Sequence, residues 1–365
     1  MPERLVVVGP TPPPVHGVAV MTGEVLAALE ELDQLAGHVD TRDSRPLDTI
    51  GKLDFTNVWL GLRHAGALWR MLANRPAATV YLPLSQSTWG FLRDALLVGV
   101  AKLNRRKLIL HLHGGHLQDF YNGAPGLLRW LIRLVCRQAS EAWALTPSLR
   151  QQFAGLVEDK RVRCVGNVVP DLGQPTSDGA RASDGLRVLY LSNLLPEKGC
   201  FDLMAALRLL GPACSGWEVR LAGPATPAVE SRLRDESRAL ADHGVAVELV
   251  GPVSGQEKVD QYRWADLFVY PSYYGFEGQP LVLLEALSAG LPIVSTLHAG
   301  IPDTVRDGIE GVLVPPGKVE ELAEAMLDLA GDGEVRKRYA KAARERFVSS
   351  YSRSRLTLDF EDVRA

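Results

Sequence analysis

Short apolar runs rich in β-branched residues alternate with longer helical stretches, and the alternation is written twice along the chain. A chain built this way must bury both faces of its strands under crossover helices, so it folds as a parallel α/β sheet. The first series opens with "RLVVVGP", a stiff "TPPPVHG" loop and the helical "VAVMTGEVLAALEEL". Strand patterns "ATVYLPL" and "KLILHLH" follow, with the helical "WGFLRDALLVGVAKL" between them, then "EAWALTPS" and "VRCVGNVVP". Periodicity then fails over "DLGQPTSDGARASDG", residues 171–185, which is rich in Gly, Ser, Pro and Asp. The second series restarts with "LRVLYLS", "WEVRLAG", "VAVELVG", "DLFVYPS" and "LPIVST", with helical stretches such as "FDLMAALRLL" and "AVESRLRDESRALADHG" between them. At 365 residues the chain also exceeds what one core usually serves. Two Rossmann-like domains are expected, 1–170 and 171–344. The helical C-terminal stretch, about 345–365, is expected to return to the first domain.

The composition, 46% hydrophobic and 23% charged, is that of an ordinary globular protein. No apolar run approaches the roughly 18 residues that cross a bilayer, and the N-terminal apolar stretch is too short for a secretory signal. Cys136, Cys164, Cys200 and Cys214 stand far apart, which indicates neither a zinc site nor a disulfide framework and suits a reducing cytoplasm. The net charge of −3 conceals an asymmetry. Between Phe55 and Ser140 there are 11 Lys and Arg against only Asp94 and Asp119, so something anionic is expected to meet that part of the chain.

Ligands of open α/β sheets gather where strand ends meet helix starts, and three loops there carry informative residues. In "FEGQPLVLLEALSAG", Glu277 is followed by Gly278, Gln279, Pro280 and Leu281, and Pro280 suits the first position of a helix whose amides favour an anion. Glu285 lies eight residues on, about 12 Å along such a helix, so the two carboxylates suit the two ends of an extended ligand such as a sugar nucleotide. A carboxylate among Leu283, Leu284 and Leu287 is costly unless hydrogen-bonded. Ribose hydroxyls would serve, and so would an internal arginine. In "SNLLPEKG", Lys198 stands where it can reach a diphosphate. In "PPPVHGVAV", Gly17 and Val18 open a helix and let backbone approach a phosphate. His111 and His113 alternate along "LHLHGGH" toward one face. Carboxylate ligands near them are sparse, so no metal is expected there.

The segment "YPSYYGFEGQPLVLLEALSAGLPIVSTLHAGIPDTVRDGIEGVLVPPG" resembles the donor-binding region of retaining glycosyltransferases of family 4. "VSGQEKVDQYRWADLFVYPS" and "LSNLLPEKG" are similar to its neighbouring segments. The resemblance implies the GT-B fold, two Rossmann-like β/α/β domains facing a central cleft. It further implies that Glu277, the first residue of the E-x7-E pair, contacts the transferred sugar, that the backbone from Gly278 to Leu281 holds sugar and diphosphate, and that Glu285 binds the nucleotide ribose. It puts His113 beside the donor sugar and Lys198 at the diphosphate. Five residues before that lysine the family commonly has arginine, whereas this chain has Asn193, a hydrogen-bond donor without charge.

The implied activity is metal-independent hexosyl transfer with retention, without a cofactor. It runs from a nucleotide diphosphate sugar to a hydroxyl acceptor such as a lipid-linked or growing glycan of a bacterial envelope or exopolysaccharide pathway. A weakened sugar-nucleotide-binding scaffold, and a GT-B epimerase or phosphorylase, are the alternatives. "NVWLGLRHAGALWRMLANR" and "GLLRWLIRLVCRQ" mix Trp, Leu and Arg at helical spacing, which suits either core packing or an anionic membrane surface. A cytoplasmic protein, peripheral on the inner face of the plasma membrane, fits the second reading. No nucleic-acid recognition module is present.

Overall fold

The computed structural model describes residues 4–42, 55–75, 78–173 and 185–362. These divide into two compact units. The first holds the chain through Val168, the short run Phe276–Gln279, and the chain from Arg353 onward. The second holds Val169–Gly275 and Pro280–Ser352. Of the boundary segment at 171–185, residues 174–184 lie outside the described residues.

In the first unit, β1 (Leu5–Gly9), β2 (Leu35–Asp40), β3 (Thr79–Pro83), β4 (Leu108–Leu112), β5 (Glu141–Ala144) and β6 (Val162–Cys164) form one parallel sheet in the order β2-β1-β3-β4-β5-β6. Side chains alternate across it with period two. Val6, Val8, Val80, Leu82, Leu108 and Leu110 share a core with the helices α2 (Phe55–Ala73), α3 (Thr88–Leu103) and α5 (Gly126–Arg137). Tyr81, His111 and Trp143 alternate with them, and the ring of Phe360 stands 5.2 Å from that of Trp143. Phe360 belongs to α13 (Arg353–Glu361), which packs on α1 (Gly17–Glu31), where Arg353 Nε donates to Glu24 at 2.8 Å. Because both faces are covered, β1, β3 and β4 are buried throughout and read as continuous apolar runs.

The second unit joins β7 (Arg187–Leu191), β8 (Glu218–Ala222), β9 (Ala246–Gly251), β10 (Leu267–Tyr270), β11 (Ile293–Thr296) and β12 (Gly311–Val314) in the order β12-β11-β10-β7-β8-β9. Counted from its own first strand this is the 3-2-1-4-5-6 order of a Rossmann sheet. The helical C-terminal stretch is two helices: α12 (Gly333–Ser350) belongs to the second unit and α13 to the first. The break falls in "SSYSRS", where serines compete for backbone hydrogen bonds and weaken the helix. Two strands escape the sequence pattern. β2, "LAGHVD", carries one β-branched residue, and β12, "GVLV", is only four residues long.

Candidate active site

Ligands of doubly wound sheets bind at the carboxyl ends of strands where the strand order reverses. In the first unit that point lies between β1 and β3. A cavity of about 420 Å³ opens there, lined among others by Gly9, Val18, Pro83, His113, Gly114 and Phe276. His16 caps α1, its Nδ1 accepting from the Ala19 amide at 3.3 Å. Gly17 is the first helical residue and is exposed, and Val18 behind it is half-buried. A Cβ on Gly17 would meet nothing within 4 Å, so packing does not require a glycine there.

His113 follows β4 and is held by a chain of buried hydrogen bonds. The Asn167 side-chain amide donates to the Gln279 carbonyl at 2.9 Å, which turns its Oδ1 toward His113 Nδ1 at 3.2 Å. His113 therefore carries its proton on Nδ1 and keeps a lone pair at Nε2, which stands 3.4 Å from Tyr81 Oη. His111 has Nε2 3.0 Å from the Val165 carbonyl, so its Nδ1 accepts from Tyr81 Oη at 2.7 Å. His111 is a satisfied core histidine, and His113 is the one that lines the cavity.

Burial pushes His113 down to about 4, with the Asn167 hydrogen bond working the other way, and burial together with the neighbouring His113 holds His111 well below its ordinary value. Both folded-state values lie below the unfolded value of 6.5. The unfolded chain takes up these protons first, so stability falls as pH falls from about 6.5 toward 4. Melting temperature against pH checks this. The His113→Gln variant is expected to lose less on acidification than the parent.

Two glycines let distant loops meet. A Cβ on Gly278 would lie 2.6 Å from the His113 carbonyl oxygen, and one on Gly115 would lie 2.4 Å from the Glu277 carbonyl oxygen. Both distances are below contact with immovable backbone, so "LHLHGGH" and "FEGQP" pack only because both positions lack side chains. The Gln279 side chain is buried, and its Oε1 accepts from the Asn167 amide at 2.7 Å. Glu277 is buried in the same run at 6% exposure.

In the second unit the order reverses between β7 and β10. The lysine loop leaves β7, and the segment leading to α9 (Leu281–Ser288) leaves β10. Pro280 is the N-cap of α9, with ψ 121°, and Leu281 is its first residue. Pro280 thus stands one position before the place expected for it, because its extended backbone carries the chain into the helix. Lys198 ends a single 3-10 turn, Pro196–Lys198. Gly199 follows at φ +83°, where a Cβ would fall 2.3 Å from the Pro271 carbonyl oxygen. The Lys198 ammonium stands over the Tyr274 ring, 4.6 Å from its centroid, and 5.8 Å from that of Tyr270, a cation–π contact that holds the ammonium in place. Asn193 is exposed in the same loop.

Glu285, buried on α9, is met by two groups of α8 (Gly255–Trp264). Lys258 Nζ pairs with its Oε1, and Tyr262 Oη donates to Oε2 at 2.9 Å. The internal cation expected as an arginine is this lysine. A carboxylate has about four acceptor positions, so hydroxyl donors can add to these two partners. Burial and the Glu285 charge push the Tyr262 hydroxyl well up, which keeps it a donor. Neither Lys258 nor Tyr262 is among the site residues expected from the sequence, although their i, i+4 spacing puts them on one face of a helix. Asn167 and Tyr81 were likewise passed over. Among the described residues no three His, Cys, Asp or Glu are placed to hold a metal ion.

Comparison with known proteins bears on this geometry. Residues 177–346 match the family model of glycosyl transferases, group 1. The chain is 34% identical over 186 residues to the exopolysaccharide phosphotransferase of Streptomyces coelicolor, covering 51% of this chain and 19% of that protein. It is 34% identical over 158 residues to the amylovoran biosynthesis glycosyltransferase AmsK of Erwinia amylovora, covering 41% of this chain and 37% of that one. The chain therefore spans well under half the length of these two relatives. Among solved structures, Anabaena HepE in complex with UDP aligns over 98% of both chains with a TM-score of 0.71 at 17% identity. The fold is GT-B.

Proposed function

We propose that the chain is a retaining glycosyltransferase that moves a hexosyl group from a nucleotide diphosphate sugar to a hydroxyl. The observation that carries this reading is the arrangement in the second unit. The lysine loop and the start of α9 leave β7 and β10, the two strands that flank its switch point, where a nucleotide binds in sheets of this order. The match to group 1 glycosyl transferases covers the same segment, and the similar HepE fold was solved with UDP.

In this reading Glu285 accepts from the ribose hydroxyls beside Lys258 and Tyr262. The α9 amides and Lys198 hold the diphosphate, and Lys198 neutralises the charge that grows on it as the C1–O bond breaks. Gly17 and Val18, at the start of α1, offer backbone amides to a phosphate. Glu277 orients the sugar and stabilises its cationic transition state, while the backbone of Gly278, Gln279 and Leu281 fixes sugar and phosphate. His113, neutral and lining the cavity of the first unit, accepts from a sugar hydroxyl. The acceptor oxygen bonds to C1 on the face the diphosphate leaves, and its proton passes to the departing phosphate oxygen. Lysine and amides supply the positive charge, so no metal and no cofactor is required. The acceptor in this reading is a growing or lipid-linked glycan, and the similarity to a glycosyltransferase named for amylovoran biosynthesis is in keeping with a glycan product.

Asn193 favours a second reading, a sugar-nucleotide-binding scaffold, because it brings no charge to the diphosphate loop. Incubation with a nucleotide sugar in the absence of acceptor separates the two. Transfer to water should release nucleotide slowly and free a sugar whose first-formed anomer, followed by NMR, keeps the donor's configuration. Release of the opposite anomer rules out retention, and binding without release supports the scaffold.

A further inference from the structure

Four of the seven tryptophans, Trp59, Trp69, Trp89 and Trp130, are exposed, and all four lie on three helices of the first unit that pack side by side, α2, α3 and α5. On α3 the exposed residues Trp89, Leu92, Leu96 and Leu103 recur at offsets of 3, 7 and 14, a single outward stripe. On α5, Leu127 is 80% and Trp130 58% exposed, with Leu134 one turn on. The inner face of the same helix buries Ile132, Val135 and Cys136. Trp59, Leu62 and Trp69 make the corresponding stripe on α2. A helix with apolar residues on both faces, repeated on three neighbours, marks a surface that meets something other than water. The second unit shows the ordinary alternative. Its helix α7 (Pro227–Ala241) turns outward a lattice of Arg and Glu or Asp pairs, among them Arg234–Glu230 and Arg238–Asp235.

Charge identifies the occupant. Arg63, Arg70, Arg133 and Arg137 are exposed among the apolar residues of α2 and α5. Neither helix contains an acidic residue, and the only one on α3, Asp94, is fully buried against Arg93 and the Ser85 amide. Asp119, on α4 (Leu117–Gly123), faces His116 at 3.2 Å. A second copy of this chain seated on the face by two-fold symmetry would set arginine against arginine. An anionic interface is the complement, and tryptophan with arginine is the composition that settles at the boundary of headgroups and acyl chains. No helix among the described residues is long and apolar enough to cross a membrane. We propose that the outer face of α2, α3 and α5 docks the protein, without insertion across the bilayer, on an anionic phospholipid surface. The inference does not depend on the donor-site assignments.

The test is co-sedimentation with vesicles of phosphatidylcholine alone and of equal parts phosphatidylcholine and phosphatidylglycerol, at low and high salt, with tryptophan emission read in parallel. The expected result is binding to the anionic vesicles only, weakened by salt, with a blue shift. Arg133→Gln and Arg137→Gln should each lower the partition coefficient about fivefold. Trp130→Ser should lower it while removing part of the blue shift, and Leu209→Ser, an exposed position of the second unit, should leave it unchanged. Equal binding to neutral vesicles, or none to either, overturns the proposal. Concentration-dependent dimerisation that Trp130→Ser abolishes, without vesicle binding, overturns it in favour of a protein interface. Because nucleotide release without acceptor is measured separately, a failure here leaves the proposed function standing.

Discussion

Glu277→Gln is expected to lower sugar transfer about 10²–10³-fold while the protein melts at the parental temperature. Glutamine has the same shape, so the buried side chain is replaced without a void, and the neighbouring Gly278 keeps its place against the His113 carbonyl. In the proposed function, what is lost is a negative charge beside a sugar carbon that becomes cationic only in the transition state. An interaction stronger in the transition state than in the ground state shows in kcat, and one preorganised charged or polar group in a water-poor site is worth about that factor. The check is steady-state kinetics together with donor affinity by calorimetry. Loss in kcat with donor Kd little changed is the expected split. A variant that binds and transfers as the parent does would remove Glu277 from the chemistry.

Lys198→Ala is expected to cost a similar factor, again about 10²-fold or more, with donor binding weakened as well. In the proposed function the lysine meets a diphosphate whose charge is present in the ground state and grows as the bond breaks, so both Kd and kcat should respond. The fold should survive. The turn is held by backbone groups, Tyr273 N donating to the Glu197 carbonyl at 2.9 Å and Tyr190 Oη to the Lys198 carbonyl at 3.0 Å, which the substitution leaves in place. Lys198→Arg should restore little, because a planar fork does not replace a compact ammonium seated over Tyr274. With Asn193 uncharged five residues earlier, Lys198 is the cation of this loop on which the proposed reaction relies. Parental kinetics in Lys198→Ala would show that the charge is supplied elsewhere.

The architecture is legible in the sequence because strands buried on both faces leave unbroken apolar runs, as in "RLVVVGP" and "KLILHLH", and crossover helices leave a 3.6-residue period. β2 escapes because pairing with β1, and not its own composition, makes it a strand. Local motifs such as the lysine loop are legible for the same reason that turns are: Gly199 must adopt a conformation that few other residues tolerate.

Long-range partners are not legible. Nothing near Glu285 in sequence announces Lys258 and Tyr262, which lie on a helix with a mostly polar composition. Asn167 reaches His113 and Gln279 across separations of 54 and 112 residues. The abutting backbones of Gly115 and Gly278 were visible only as glycines in loops. Physically, periodicity encodes which face is buried, whereas pairing between buried polar groups depends on register and topology that no local window contains.

The central claim, that the chain works on a nucleotide diphosphate sugar, is tested most directly by presenting the purified protein with UDP-, GDP-, ADP- and TDP-sugars, following thermal stabilisation and slow release of nucleotide. The account predicts that one donor raises the melting temperature and is hydrolysed, and that Lys198→Ala diminishes both effects. No stabilisation and no release with any of the four would contradict it.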